Sequence, residues 1–215
     1  MDGMLSQEEI NALLSNMNAN TPVSAPMAEE PAGDLSDIEK DAIGEISNIS
    51  MGTAATTLSA LINQKVNITT PMVSYSTWDH LIGEYPAPCV FIQVYYTSGL
   101  DGNNILILKE HDVKVITDLM MGGDGSNTDG ELSELHLSAI GEAMNQMMGS
   151  ASTSMSSMLN KKIDISPPTA SLVKLNEIMN ATDVAEFLTG SFVKVTFKME
   201  IGNLVNSENN ADVFL

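Results

Sequence analysis

The stretch DAIGEISNISMGTAATTLSALINQKVNITTP, Asp41 to Pro71, is written a second time as SAIGEAMNQMMGSASTSMSSMLNKKIDISPP, Ser138 to Pro168. Without a gap, Glu45 falls on Glu142, Asn48 on Asn145, Gly52 on Gly149 and Pro71 on Pro168, each pair 97 residues apart. A register kept over that length marks an internal repeat. Two copies are too few for a solenoid, so they describe one domain built of two related halves.

In the first copy a capping box, Ser36 with Glu39, opens a long helix. Leu35, Ile38, Ala42, Ile46 and Ile49 share one stripe at helical spacing and are expected to face the core. Beside it Asp41, Glu45, Asn48, Gly52, Ala55 and Ser59 form another stripe, polar at one end and small at the other. Glycine inside a helix costs about 1 kcal/mol relative to alanine, so Gly52 reads as a point of close approach by another backbone. The second copy starts its helix at Ser133, runs to about Lys161, and presents Ser138, Glu142, Asn145, Gly149, Ser152 and Ser156 in the twin stripe.

Each helix leads into a short strand closed by proline, Lys65 to Thr70 in one half and from Ile163 in the other. Pro88 to Thr97 and Asn103 to Lys109 are apolar, β-branched and aromatic runs around an Asp101-Gly102 turn, a strong hairpin signal. His111 to Met121 reads as a helix ended by Gly122 and Gly123, and Gly190 to Gly202 alternates as a strand. Met72 to Ala87 has no clear period, and Ser171 to Leu188 is ambiguous apart from a helix at its end. The expected class is α/β, in the α+β sense. A mixed or antiparallel sheet carries two long helices on one side, with pseudo-twofold symmetry over residues 35–215.

Ahead of this domain, residues 1–17 contain MLSQEEINALLSNM. Ser6 and Glu9 make a second complete capping box, Leu5 and Ile10 sit at the staple positions, and Ile10, Leu13, Leu14 and Met17 form one apolar stripe. So short a helix needs something to pack on. Residues 18–34 have the Pro, Ala, Ser and acid composition of a linker, so the helix is read as a tethered docking peptide for another protein.

The formal charge is −19, and all nine basic residues are lysine. A phosphate backbone or an anionic lipid surface needs clustered cations, so nucleic acid and membrane are poor partners. Cys89 is the only cysteine, which excludes an internal disulfide and suggests a reducing compartment. No basic segment precedes an apolar one at the start and no apolar run nears eighteen residues, so a soluble, cytoplasmic protein is expected. His80, His111 and His136 lack ligand spacing, and the acidic loop from Gly123 to Glu131 fails the calcium-loop pattern, so no metal of its own is expected.

A Glu and an Asn three apart on a solvated helix face say little alone, and gene duplication copies solvated residues too. What diverged is more telling: Ile46 became Ala143 and Leu58 became Met155, while Glu, Asn and Gly stayed. Glutamate can accept hydrogen bonds from a lysine, and a carboxamide can orient a water through one acceptor and one donor. No nucleophile or base accompanies them. Such a pair could complete a site whose phosphoryl group, metal and lysine come from a partner, the amide holding the attacking water in line.

The pattern Asp41, Glu45, Asn48, Pro71, repeated as Ser138, Glu142, Asn145, Pro168, resembles the signature of the CheC, CheX and FliY family of response-regulator phosphatases. The opening LSQEEINALL resembles the peptide with which FliM and FliY bind the phosphorylated chemotaxis regulator CheY. The resemblance implies a CheC-like fold and hydrolysis of the aspartyl phosphate of CheY, ending its signal at the flagellar motor switch. Glu45 and Glu142 would pair with the regulator's lysine, Asn48 and Asn145 would hold the water, and Mg2+ would be the regulator's. Leu5, Ser6, Gln7, Ile10, Leu13 and Leu14 would contact CheY. Further implied partners are the switch proteins FliM, FliG and FliN-like, at the cytoplasmic face of the flagellar basal body. FliY-type members usually continue into a FliN-like anchoring domain, which is not read here before Leu215. The rival class is a non-catalytic switch subunit that binds phosphorylated CheY as a scaffold; a scaffold has no use for a water-orienting amide. A third reading is a plain structural duplication whose tail docks on itself.

Overall fold

The structure, a computed structural model, describes residues 35–69, 71–85, 88–174, 181–183 and 186–214. The docking-helix and linker readings lie outside the described residues.

Helix α1 (Asp37–Ile62) starts where the sequence says. The Ser36 hydroxyl accepts from the Glu39 N–H at 3.3 Å, and Glu39 Oε2 accepts from the Ser36 N–H at 2.8 Å. Donation to the carboxylate by the Ser36 N–H, and next by the Ser36 hydroxyl at 2.8 Å, lowers the Glu39 pKa. Ninety-seven residues on, α4 (Glu134–Leu159) repeats the start with His136 in place of Glu39, its Nδ1 accepting from the Ser133 N–H at 3.0 Å. Both helices end on an asparagine in the left-handed region, Asn63 at φ 49° and Asn160 at φ 48°. Asparagine tolerates that conformation better than most non-glycine residues. Beyond each cap, Ser59 Oγ accepts from the Val66 N–H and Ser156 Oγ from the Ile163 N–H, both at 2.9 Å.

Between and after the long helices come β1 (Val66–Ile68), β2 (Met72–Ser76), α2 (Trp78–Glu84), β3 (Cys89–Ser98), β4 (Asn103–Lys109) and α3 (Glu110–Met120). After α4 follow β5 (Asp164–Ile165), β6 (Thr169–Val173), two short 3-10 turns, β7 (Phe192–Ile201) and β8 (Val205–Phe214). Every pairing among the described strands is antiparallel, in the order β1-β7-β8-β4-β3-β5, with β2 also on β7 and β6 also on β3. That order reads the same from either edge once the halves are exchanged. Each half lends its short edge strands to the long strand of the other: β1 and β2 to β7, β5 and β6 to β3. At the break between the edge strands stand Pro71 and Pro167-Pro168, residues without an N–H and suited to an edge.

The sheet is covered on both faces, which explains why β3 and β4 are apolar almost throughout. One core cluster sets Val90, Ile92, Leu106, Leu108, Phe197 and Met199 against α1, α3 and α4. On the opposite face Phe91, Ile105, Ile107 and Phe192 pack with Trp78 and Leu81 of α2. The long helices meet through small residues: Thr57 Oγ1 donates to Ser150 Oγ at 2.7 Å, and its symmetry mate joins Thr53 to Ser154 at 3.5 Å. A residue of one copy facing the other copy's reversed register makes the pair antiparallel.

Two expectations are corrected. The stripe Leu35, Ile38, Ala42, Ile46, Ile49 does not face the core: Ile38 is 81% exposed and Ile49 42% exposed. The buried face runs instead through Ser47, Ser50, Met51, Ala54, Leu58 and Ile62, the apolar four of which share one core cluster with the sheet, α3 and α4. Gly52 and Gly149 are not points of close approach, since a Cβ on either would meet nothing within 4 Å. The close approach is made next to them, by Thr53 and Ser150. Val205–Phe214, to which the sequence reading assigns no element, is a strand of the sheet's centre, paired with both β7 and β4. The unassigned stretch from Met72 holds β2 and α2.

Candidate functional site

Asp41, Glu45 and Asn48 point away from the buried face of α1 and are exposed. Seven residues are about two helical turns and three or four about one, so the trio shares one side. Facing them is the kink between β1 and β2. A shallow depression results, lined by Asp37, Lys40, Asp41, Gly44, Glu45, Asn48, Pro71 and Val73. The same construction on α4 and the β5–β6 kink gives a second, lined by Leu137, Ser138, Gly141, Glu142, Asn145, Pro167, Pro168, Thr169 and Ala170. Glu, Asn and Pro of each copy are thus brought together, and the two depressions share no residue.

They are not chemically alike. The first carries Asp37, Asp41 and Glu45 against Lys40, whereas Glu142 is the only charged residue lining the second. Gln146 Nε2 donates to Glu142 Oε1 at 2.8 Å. The corresponding residue in the first copy is Ile49, which can offer no such bond. Among the described residues no ion pair is made to Glu45 or Glu142, leaving both carboxylates available to an incoming cation. Sequence reasoning missed Gln146, although its place four residues after Glu142 was the signal for a side-chain bond on one helix face. It also missed Lys40 and the floor residues Val73, Thr169 and Ala170, whose contribution depends on the edge strands folding back.

Cys89 offers no rival chemistry: 2% exposed, it has its thiol pushed up to about 11 by burial, so the thiolate is scarce at neutral pH. Among the described residues no three His, Cys, Asp or Glu side chains gather closely enough to hold a metal ion. Leu5, Ser6, Gln7, Ile10, Leu13 and Leu14 lie outside the described residues. No described helix is long and apolar enough to cross a membrane.

The model of the CheC-like family matches residues 38–75 and 135–172, one segment in each copy. A crystal structure of Thermotoga maritima FliY is 43% identical and superposes with a TM-score of 0.76, covering 83% of this chain and 90% of that one. The chain belongs to the CheC-like family. Its fold is that of the family, and the two matched segments contain the Glu, Asn and Pro of both depressions. The flagellar motor switch phosphatase FliY of Bacillus subtilis is 47% identical over 203 residues, which are 94% of this chain and 52% of that protein. The chain therefore spans about half the length of that curated relative. The FliM middle domain of H. pylori, only 15% identical, covers 84% of this chain and 92% of that one with a TM-score of 0.60. That likeness extends the CheC-like fold to proteins of quite different sequence.

Proposed function

We propose that the protein is a phosphatase that hydrolyses the aspartyl phosphate of the chemotaxis response regulator CheY. The observation that carries the reading is the pair of depressions, each lined by a Glu and an Asn one turn apart, in a chain that is 43% identical to Thermotoga maritima FliY. The regulator's phosphoryl group would enter one depression, its lysine meeting Glu45 or Glu142. The carboxamide of Asn48 or Asn145 would accept a hydrogen bond from a water and hold its oxygen in line with phosphorus. As the water's oxygen bonds to phosphorus, the bond from phosphorus to the aspartyl oxygen breaks. Inorganic phosphate leaves and the carboxylate is restored. Mg2+ held by the regulator would spread the charge on the phosphoryl oxygens, and positioning would supply most of the remaining acceleration.

On this reading the segment 1–17, through Leu5, Ser6, Gln7, Ile10, Leu13 and Leu14, recruits phosphorylated CheY, and 18–34 is its tether. The protein acts in the cytoplasm at the flagellar switch, with FliM, FliG and FliN-like subunits as neighbours. The test is phosphate release from phosphorylated CheY with and without the protein. Faster release that disappears in the Asn48→Ala/Asn145→Ala double variant supports the reading. Binding without faster release would make the protein a switch scaffold instead.

A further inference from the structure

Large exposed hydrophobics are ordinary when scattered. Two here are not scattered. Ile38 is 81% exposed and Leu135 63% exposed, and they occupy the same position of the two copies. The other exposed positions inside the repeat do not recur in this way: Ile49 is matched by Gln146, Met72 by Thr169, and Leu159 by the buried Ile62. Neither Ile38 nor Leu135 packs against the core, so the fold gives no reason for an apolar side chain at either place. Each sits in the first turn of its helix, seven residues before the site glutamate. That is about 10 Å along the axis and roughly 20° around it, so the apolar residue stands above the carboxylate on one face. The capped first turn keeps that face in register with Asn48 or Asn145.

We infer that Ile38 and Leu135 are the apolar anchors on which the phosphorylated regulator seats at each site, an inference that rests on the proposed phosphatase reading. The occupant follows from size. A protein–protein footprint of about 800 Å² per partner has a radius of roughly 16 Å. Ile38 lies ten residues, about 15 Å of helix, from Asn48. A globular partner whose phosphoryl group reaches the asparagine therefore covers the anchor as well. Exposed charges in water bring a partner in and set its orientation more than they hold it, whereas a desolvated aliphatic side chain holds it.

The test uses the full chain carrying Ile38→Ser and Leu135→Ser together. Because both side chains are exposed, the thermal midpoint is expected to stay at the wild-type value. kcat/KM for phosphate release from phosphorylated CheY should fall about tenfold, with KM taking most of the change, and Ile38→Leu/Leu135→Ile should restore it. A double variant with wild-type kcat/KM overturns the inference. So does a wild-type dimer in sedimentation velocity that the double variant dissociates, since the anchors would then serve a second copy. Titration with CheY loaded with beryllofluoride separates this inference from the phosphatase reading. Weaker binding by the double variant, even if wild type releases no phosphate, leaves the anchors standing and removes only the catalysis; unchanged binding removes the anchors whatever the rate. Both proteins carry the same residues 1–34, so their difference reads the anchors alone.

Discussion

Glu142 is held by Gln146 at 2.8 Å, while Glu45, with Ile49 one turn on, has no such tie. At the same time Asp37 and Asp41 make the first depression more attractive to a lysine. On the proposed reading the two depressions would divide the same task differently, one preorganised and one more strongly charged. Each depression has its own asparagine, so Asn48→Ala and Asn145→Ala should each leave part of the activity and the double variant almost none. The loss in the double variant should be about 10²-fold in maximal rate, or roughly 3 kcal/mol, with little change in half-saturation, because a positioned water matters as the reaction geometry is reached. Glu45→Ala/Glu142→Ala should raise half-saturation first, since the regulator's lysine is present before and after reaction. Single-turnover kinetics at saturating phosphorylated CheY separates the two. A double asparagine variant with its maximal rate intact would sink the mechanism.

Among the elements, β7 carries the exchange between halves, because it receives β1 and β2 from the first half and β8 from its own. Its Lys194 is 6% exposed, with Nζ 2.6 Å from both oxygens of Glu84 at the end of α2. That ion pair ties α2 to the sheet face opposite the long helices. Removing Glu84 strands a buried ammonium out of water, whereas removing the Lys194 cation leaves a carboxylate that keeps part of its exposure and stays solvated. Glu84→Ala should therefore cost about 2–3 kcal/mol in urea unfolding, reduced from the fully buried case because Glu84 keeps 29% of its side-chain exposure. Lys194→Met should cost less than about 1 kcal/mol, as an uncharged chain of similar length. Equal losses from the two would mean that the pair is no more than surface contact.

At the scale of the whole chain, the described residues form the two-half domain, and residues 1–34 carry a separate message in their sequence. Deleting residues 1–17 should leave the thermal midpoint unchanged and weaken the apparent affinity for phosphorylated CheY. A large fall in midpoint would show that the segment belongs to the domain. The sequence by itself determined the repeat, both helix starts, the β3–β4 hairpin, and the Glu, Asn and Pro that line each depression. These are set by local chemistry: capping boxes, turn residues and helical spacing act within a few residues, and duplication writes them twice. Tertiary structure alone decided which helix face is buried. Beside the seam of Thr53, Thr57, Ser150 and Ser154, it is Met51, Ala54, Leu58 and Ile62 that enter the core, and Ile38 and Ile49 are left in water, against the hydrophobic pattern. It also decided that Val205–Phe214 is a strand, since pairing on both sides overrides weak intrinsic preference. The depressions themselves are a tertiary product, because each needs an edge strand of its own half to fold back and pair with the other half's long strand.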